Sequence, residues 1–284
     1  MYSSSTPIII KAVTPVHAGI GRELGLVDMP IQRESHTGIP KIEGSTIKGS
    51  MREMYRLNNE GKVKKLFGHD DGDKGAGIIG FSDGKLLLYP VKSLNNLFTY
   101  ITCPYLLNRF IEDLDFLRST DKRKYSKVEI NIKEGHVILL NDNKEKDIVL
   151  DVYKFEQMNN KEDLKDIREI LLHKLYIKRN VAILCDEDFA ELISLNREIV
   201  TRNKIKYETG IVEDGALFTE EYLPAESILY SLLLVNGILE NTGKNKNLVE
   251  DYKNKDLPSV LQVGGNKTIG KGIVRISKIL DGGE

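Results

Sequence analysis

Residues 25–56 read GLVDMPIQRESHTGIPKIEGSTIKGSMREMYR, and this stretch runs from an irregular loop into a helix. Glycines and prolines punctuate its first half, which predicts a chain without regular structure. A helix start follows at Gly44, because the hydroxyl of Ser45 or Thr46 can accept hydrogen bonds from the free N–H groups of a first helical turn. Free N–H groups at a helix start also attract phosphate. The stretch therefore predicts a loop that leads into an anion-binding helix start.

The predicted helix has an apolar face and a basic face. Apolar residues recur at helical spacing: Ile47, Met51, Met54 and Tyr55. Basic residues recur four apart: Lys48, Arg52 and Arg56. Such a basic row could extend a phosphate site along the helix, although a plain solvated surface explains the same pattern.

The composition is that of a globular protein whose surface is not basic overall. Hydrophobic residues make up 40% of the 284 residues and charged residues 29%, which suits a chain that buries a core. Lysine and arginine number 41 against 42 acidic residues, so any nucleic-acid site must be a local patch. No apolar run approaches the ~18 residues of a membrane span, and the N-terminal residues lack the pattern of a secretory signal. Cys103 and Cys185 form no CxxC motif, which favours a reducing cytoplasm and argues against a structural zinc site.

Asp28 is the first candidate for chemistry in the loop. It precedes Pro30 in a segment flanked by glycines, and His17 lies earlier in the same region. A carboxylate there could hold a metal ion or orient an attacking hydroxyl, and a histidine could assist as acid or base. An isolated loop aspartate is more often a turn residue, and no HxH, HExxH or DxD pairing that includes Asp28 or His17 strengthens the catalytic interpretation. The spacing alone leaves both explanations open.

A glycine-rich segment near the C-terminus, GGNKTIGKG at 264–272, suits close approach to a phosphate. Its spacing opens like a P-loop, but Gly272 stands where the magnesium-binding serine or threonine belongs. The residues that follow predict a strand, whereas a P-loop needs a helix. These two departures argue against an NTPase. A phosphodiester contact through Lys267 and Lys271 and an ordinary turn with solvated lysines both remain possible interpretations.

Other segments predict strands and helices in an interleaved order. Strands or hairpins are predicted at 6–13, at 78–90 around Asp83-Gly84, at 136–155 and at 198–224. Helices are predicted at 103–117, at 161–177 and at 225–239. In the segment 198–224, alternation would put three basic side chains on one face of a strand: Arg202, Lys204 and Lys206. Hairpins among helices favour an α+β fold over a parallel doubly wound sheet.

Four segments, in this order, together resemble one family. They are VHAGIGRELGLVDMPIQRESHTGIPKIEGSTIKGSMRE at 16–53, FSDGKLLLYPVKSLNNLFTYITCPYLLNRFIEDL at 81–114, GALFTEEYLPAE at 215–226 and GGNKTIGKG at 264–272. The chain resembles the repeated backbone subunits of type III-B (Cmr) CRISPR effector complexes, which belong to the RAMP superfamily. PIQRESHTGIP and TEEYLP make the resemblance specific to the Cmr-type subunits.

The resemblance implies a fold and an assembly. The fold is a ferredoxin-like (RRM-like) core with insertions in a single domain over 1–284, and one insertion is a β-hairpin thumb at 198–224. Copies of the chain would stack into a helical filament along the guide RNA, together with other Cmr subunits, in the cytoplasm. Each thumb would push between guide and target, and the subunit would cut the single-stranded target RNA at regular intervals with a divalent metal ion, Mg²⁺.

The resemblance also implies site residues. Asp28 would be catalytic and would bind the metal, and His17 would be the loop histidine of the site. Glu220 and Tyr222 best match an acid and a tyrosine near the thumb, with Glu221 as the competing acid. Lys48 would hold the guide backbone. With it we expect the helix start and the glycine-rich segment to bind RNA through these residues: Ser45, Thr46, Lys48, Arg52, Gly264, Gly265, Lys267 and Lys271.

The expected chemistry is an internal transesterification, in which a target 2′-OH attacks the adjacent phosphate. Its products are a 2′,3′-cyclic phosphate and a 5′-hydroxyl. One alternative is a filament subunit that binds guide RNA and does not cut. Another is a ribonuclease that trims precursor guide RNA, although that activity would call for a clearer general-base histidine and no thumb.

Overall fold

The computed structural model describes residues 2–22, 25–69, 75–115, 125–141, 146–158, 164–203, 205–206, 208–211, 217–241 and 245–279. The prediction for Lys204, residues 212–216 of the predicted hairpin at 198–224, and residues 116–117 and 161–163 of two predicted helices lie outside these residues.

Most of the described strands belong to one large mixed sheet. The strands are β1 (Tyr2–Ala12), β2 (Lys41–Ile42), β3 (Ile79–Phe81), β4 (Gly84–Lys92), β5 (Phe98–Thr102), β6 (His136–Leu139), β7 (Asp147–Leu150), β8 (Tyr153–Gln157), β9 (Val181–Ile183), β10 (Glu198–Arg202), β11 (Phe218–Tyr222), β12 (Ile228–Asn236), β13 (Val260–Gln262) and β14 (Ile273–Lys278). The order in the large sheet is β13-β14-β1-β12-β4-β5-β9-β6-β8-β7, with β2 beside β4 and β3 beside β12. β10 and β11 pair only with each other among the described strands, and they form a separate antiparallel hairpin.

Helices cover both faces of the large sheet. They are α1 (Gly44–Phe67), α2 (Pro104–Asp115), α3 (Lys165–Arg168, continued by a π-helical turn at Glu169–Lys174), α4 (Asp186–Leu195), α5 (Gly237–Glu240) and α6 (Asn245–Asp251, continued by a π-helical turn at Tyr252–Asp256). Adjacent residues of β1 enter different cores, since Ile8 packs in the cluster that contains Met51 of α1 and Ile9 packs in the cluster that contains Phe110 of α2. The fold is therefore mixed, with helices on two sides of a sheet. Within the described residues, no helix combines the length and the apolar character that a membrane crossing requires.

The predicted helix at 225–239 is wrong over most of its length. Residues Ile228–Asn236 form the central strand β12, and a short helix begins only at Gly237. β12 lies between β1 on one side and β4 and β3 on the other, and Leu229 and Tyr230 are fully buried. A strand buried on both faces shows a continuous apolar run without alternation, and such a run cannot be distinguished from a buried helix by periodicity.

In two of the predicted hairpins the strands pair with other partners than the prediction assumed. β3 and β4 flank Asp83-Gly84 as expected, but both pair with β12 and not with each other. Asp83 instead accepts a hydrogen bond of 2.9 Å from the N–H of Gly44. Between 136 and 155, β7 and β8 form the hairpin, and β6 lies parallel to β8 and antiparallel to β9. The strands were predicted by composition, whereas their partners depend on contacts that are remote in sequence.

The predicted start of α1 is confirmed, but its cap is not. The N-cap residue is Glu43, its side chain makes no capping hydrogen bond, and Ser45 and Thr46 lie inside the first turn. The bond from Gly44 to Asp83 takes over part of the role expected of a capping hydroxyl. Ile47, Met51 and Tyr55 are buried as predicted, while Met54 is 41% exposed and does not belong to the buried face.

Candidate functional site

The β10–β11 hairpin and the loop at 16–31 meet along β11. Met29 bridges to Glu220 in parallel, and Val16 bridges to Leu223 in antiparallel orientation. The Met29 N–H donates to the Thr219 carbonyl at 3.0 Å, and the Glu221 N–H donates to the Met29 carbonyl at 3.0 Å. This pairing brings the loop that carries both His17 and Asp28 to the strand that carries Glu220 and Tyr222.

Asp28 is an exposed carboxylate held by Thr219. Its Oδ2 accepts hydrogen bonds from the Thr219 N–H at 2.7 Å and the Thr219 hydroxyl at 2.8 Å. The Asp28 N–H in turn donates to the same hydroxyl at 3.0 Å. The backbone and side-chain hydrogen bonds from Thr219 lower the pKa of Asp28 below its usual value. Asp28 is therefore ionised at neutral pH and open to solvent.

His17 is packed rather than open, with 6% of its surface exposed. Its Nδ1 lies 2.8 Å from the Glu221 carbonyl, which can only accept, so Nδ1 carries the proton. The imidazole ring lies 5.5 Å from the Tyr222 ring. A Cβ at Gly19 would come within 2.5 Å of Nε2, so the loop backbone passes directly over the ring. His17 therefore contacts β11 at Glu221 and Tyr222, whereas Asp28 contacts it at Thr219.

Glu220 and Tyr222 form the centre of a buried polar cluster. The Tyr222 hydroxyl donates to Oε2 of Glu220 at 2.5 Å and accepts from Arg202 at 2.6 Å and Asn266 at 2.8 Å. Arg202 also forms an ion pair with Glu220, and Asn266 donates to it at 3.1 Å. Burial alone would raise the pKa of Glu220, but the hydrogen bonds from Tyr222 and Asn266 and the charge of Arg202 outweigh it and lower the pKa. Burial and the Glu220 contact raise the pKa of Tyr222.

The sequence left Glu220 and Glu221 as competing acids, and the two side chains have different surroundings. Neighbouring residues of a strand point to opposite sides. Glu221 is 1% exposed, and its carboxylate forms an ion pair with Arg33 and accepts from the Ile31 N–H at 3.2 Å. The contacts of Glu221 therefore anchor the loop after Asp28, while Glu220 is the acid that contacts Tyr222.

The glycine-rich segment packs against His17 and Tyr222. Gly264 has a φ of +76°, and a Cβ there would lie 2.3 Å from the His17 carbonyl oxygen. The Gly265 N–H donates to that carbonyl at 2.8 Å. The Lys271 ammonium lies 4.7 Å from the Tyr222 ring centre, so this lysine belongs to the cluster and not to a solvated turn. The strand β14 follows directly, which confirms the prediction against a P-loop helix.

The predicted RNA-binding residues of α1 lie close to this segment. Lys48 is half-buried, and no ion pair to it is present within the described residues. Burial lowers the pKa of the Lys48 ammonium, and the charge of Arg52 adds to that effect. The pKa of Glu53 is lowered first by the hydrogen bond from Arg56 and further by the charge of Lys267, so the exposed Lys267 lies within electrostatic range of this helix. Ser45 is exposed and Thr46 half-buried at the start of the same helix.

Four contributors to the site were not predicted as site residues: Arg33, Arg202, Thr219 and Asn266. Arg202 was noted only for its alternation along a strand. Asn266 adopts the left-handed backbone conformation with a φ of 59°, and asparagine within a glycine-rich segment is a signal for that conformation. Thr219 carries no signal of its own, because its hydroxyl gains a role only where the loop crosses β11.

A Mg²⁺ ion at Asp28 would need ligands from the substrate and from water as well as from the protein. Among the described residues, no three His, Cys, Asp or Glu side chains are grouped closely enough to hold a metal ion. Mg²⁺ commonly uses one or two carboxylates together with substrate phosphates and water. The exposed Asp28 could supply one such carboxylate, since the bonds from Thr219 end at Oδ2.

Comparison with known proteins gives consistent matches over nearly the whole chain. A family model described as the RAMP superfamily matches residues 9–275. The chain is 36% identical over 286 residues to "CRISPR system Cmr endoribonuclease Cmr4" of Pyrococcus furiosus, covering 94% of this chain and 93% of that protein. Its fold is similar to "Type III-B Cmr-beta Cryo-EM structure of the Apo state", with a TM-score of 0.80, 26% identity and 99% of each chain covered. It is also similar to "Crystal structure of oligomeric Cmr4 from Pyrococcus furiosus", with a TM-score of 0.74, 27% identity and coverage of 98% and 100%.

Proposed function

The chain belongs to the RAMP superfamily, and we propose that it is the repeated backbone subunit of a type III-B CRISPR effector complex. It binds guide RNA and cuts complementary target RNA at regular intervals. The observation that carries this proposal is the exposed, ionised carboxylate of Asp28, which is fixed to the base of a hairpin that stands apart from the main sheet. The related protein of Pyrococcus furiosus, named an endoribonuclease, supports the same activity.

The guide RNA backbone is held between the start of α1 and the glycine-rich segment. Lys48 is a half-buried ammonium whose pKa is lowered, and it gains most from an anionic partner because burial disfavours an uncompensated charge. Lys267 is exposed and lies within electrostatic range of the same helix, whereas Gly264 and Gly265 allow close approach of His17 rather than of RNA. The protein need not recognise the base sequence there, since base pairing between guide and target provides the sequence specificity.

The β10–β11 hairpin is the base of the thumb at 198–224, inserted into a ferredoxin-like core. Support comes from its separation from the large sheet and from the cluster that fixes it, in which Arg202 of β10 bonds to Glu220 and Tyr222 of β11. A hairpin anchored at its base can press between two strands of RNA and displace a nucleotide pair. Displacement would bring a 2′-OH and its phosphate into line for reaction.

The cleavage step is an internal transesterification. The 2′-oxygen bonds to the adjacent phosphorus, the bond from phosphorus to the 5′-oxygen breaks, and the proton of the 2′-OH ends on the departing 5′-oxygen by way of Asp28 or water. The low pKa of Asp28 makes it a weak base, so its main contribution is to hold the 2′-OH by accepting its hydrogen bond. His17, Glu220 and Tyr222 fix the loop, the strand and the glycine-rich segment around Asp28.

A divalent ion, Mg²⁺, is the expected cofactor, with Asp28 as its protein ligand. When bound, such an ion stabilises negative charge on the phosphate. The partners are guide RNA, target RNA, further copies of the chain in a filament and other Cmr subunits, and the complex acts in the cytoplasm.

The test uses the assembled complex with guide RNA, Mg²⁺ and an end-labelled complementary RNA, beside a complex that carries Asp28→Asn. We expect regularly spaced products from the parent, with 2′,3′-cyclic phosphate ends, and none from Asp28→Asn although it still binds target. Equal cleavage by both would remove Asp28 from the site. Tight target binding without cleavage by either would support the alternative, a subunit that binds guide RNA and does not cut.

A further inference from the structure

We infer that Thr219 is the positioning residue for Asp28: it fixes the rotation of the carboxylate and leaves Oδ1 as the oxygen presented to RNA. The inference rests on the proposed function, because it assigns a role to Thr219 only through the role of Asp28.

The contact between Thr219 and Asp28 is a closed ring of hydrogen bonds. The Asp28 N–H donates to the Thr219 hydroxyl at 3.0 Å, and that hydroxyl donates to Oδ2 of Asp28 at 2.8 Å. A hydroxyl has one proton, and with the Asp28 N–H on a lone pair this proton is directed at the carboxylate. The Thr219 N–H reaches the same oxygen at 2.7 Å. Two donors therefore converge on Oδ2, and Oδ1 receives none from Thr219.

This arrangement matters because Asp28 lies in an irregular loop and is exposed. A side chain at such a site would otherwise sample several rotamers, and each rotamer points the carboxylate elsewhere. Effective general-base or orienting groups need heavy-atom distances held to within a few tenths of an ångström. Thr219 supplies that restraint from a regular strand, whose backbone is fixed by pairing with β10 and with Met29.

The hydroxyl can be removed without disturbing this backbone. Thr219→Val keeps a β-branched side chain of nearly the same shape, which strands favour. It also keeps the bond from the Thr219 N–H to Asp28 and the bond from the Met29 N–H to the Thr219 carbonyl. Only the two bonds made by the hydroxyl are lost. Thr219→Ser restores the hydroxyl and removes a methyl group instead.

The experiment compares these variants in the assembled complex with guide RNA. Single-turnover cleavage is measured at saturating complementary RNA with Mg²⁺, and target affinity is measured separately. We expect Thr219→Val to cut about 10- to 100-fold more slowly with unchanged target affinity. Thr219→Ser should recover most of the parent rate. Thr14→Val is the matched control. The Thr14 hydroxyl accepts a hydrogen bond from the Ile273 N–H, so this substitution also removes a hydroxyl bond to a backbone N–H, but at a residue that does not contact Asp28.

Asp28→Asn in the same series separates the two proposals. If Asp28→Asn is inactive while Thr219→Val cuts at the parent rate, the positioning role is overturned and the proposed function stands. If Thr219→Ser is as slow as Thr219→Val, the hydroxyl is not responsible and the inference also fails. If Asp28→Asn cuts normally, the proposed role of Asp28 fails, and the role of Thr219 fails with it.

Discussion

Tyr222 donates its only hydroxyl proton to Glu220 across 2.5 Å. The same oxygen accepts from Arg202 at 2.6 Å and from Asn266 at 2.8 Å, so the hydroxyl has used its donor and both acceptor positions. A tyrosine in this state has no proton to offer to RNA. The contacts make Tyr222 a positioning residue that joins the hairpin to the glycine-rich segment.

Tyr222→Phe should therefore weaken the fold more than the chemistry. The phenyl ring can keep its contact with His17, but Glu220 and Asn266 lose a partner in a buried cluster. We expect a loss of about 1–3 kcal/mol in unfolding free energy, measured by urea titration of the purified chain. Cleavage by the assembled complex should persist, in contrast to Asp28→Asn. Complete loss of cleavage with normal assembly would contradict this assignment.

Breaking the ion pair between Glu221 and Arg33 should be strongly destabilising. Glu221 is almost fully buried, so Glu221→Gln leaves the guanidinium of Arg33 without its charge partner. Removing one member of a buried pair costs about 3–5 kcal/mol, and we expect the lower end because Arg33 is partly exposed. The readout is the shift in thermal and urea unfolding.

The surface pair between Glu53 and Arg56 is the matched control for that substitution. Both of its side chains are at least half exposed, and the pair lies within one helix. Glu53→Gln should leave the unfolding midpoint unchanged, because exposed pairs are screened by water and salt. Equal effects of Glu221→Gln and Glu53→Gln would mean that burial does not set the strength of the Glu221 contact.

Gly264→Ala should damage the site, and Gly270→Ala should damage it much less. Both glycines have a positive φ, at +76° and +77°, so both substitutions carry the ~1–2 kcal/mol strain of a left-handed residue. Only at Gly264 would the added Cβ also meet backbone, 2.3 Å from the His17 carbonyl oxygen, whereas the space around Gly270 is open. Unfolding titrations and guide binding test the difference. A larger effect at Gly270 would contradict the packing described here.

Lys48→Ala should weaken guide RNA binding and its salt dependence together. A lysine that neutralises one phosphate contributes about one unit to the slope of log affinity against log salt concentration. The control is Lys255→Ala, because Lys255 is exposed on the surface and paired with Asp251. Binding of guide RNA is measured across a salt series. An unchanged slope for Lys48→Ala would remove Lys48 from the phosphate contacts.

Local patterns predicted the elements whose signals are local. The start of α1 at Gly44, the start of α2 at Pro104 and the strand after Gly272 all appear where glycine, proline and β-branched residues placed them. Buried Ile47 and Met51 follow the helical spacing. These features depend on backbone preferences and on periodic contact with one apolar surface, which a sequence shows directly.

Predictions that needed partners remote in sequence were less successful. Ser45 and Thr46 do not cap α1, because Asp83 from a distant turn bonds to Gly44 instead. Residues Ile228–Asn236 were predicted as helix because a strand with neighbours on both sides has no polar face to reveal its alternation. The apolar run at Ile228–Asn236 was recognised correctly, but its strand partners were not contained in that pattern.

The sequence by itself determined which chemical groups are available: a loop carboxylate, a glycine-rich segment with lysines, a basic helix start and a strand with two adjacent acids. The tertiary structure alone decided how they are used, because residues about 190 positions apart meet where the loop crosses β11. At that crossing Thr219 forms hydrogen bonds to Asp28, the ring of His17 packs against Tyr222, and Arg33 forms an ion pair with Glu221. Glu220, on the other face of the strand, accepts hydrogen bonds from Tyr222 and Asn266. Side chains on the two faces of one strand reach different partners, and only the folded backbone assigns the faces.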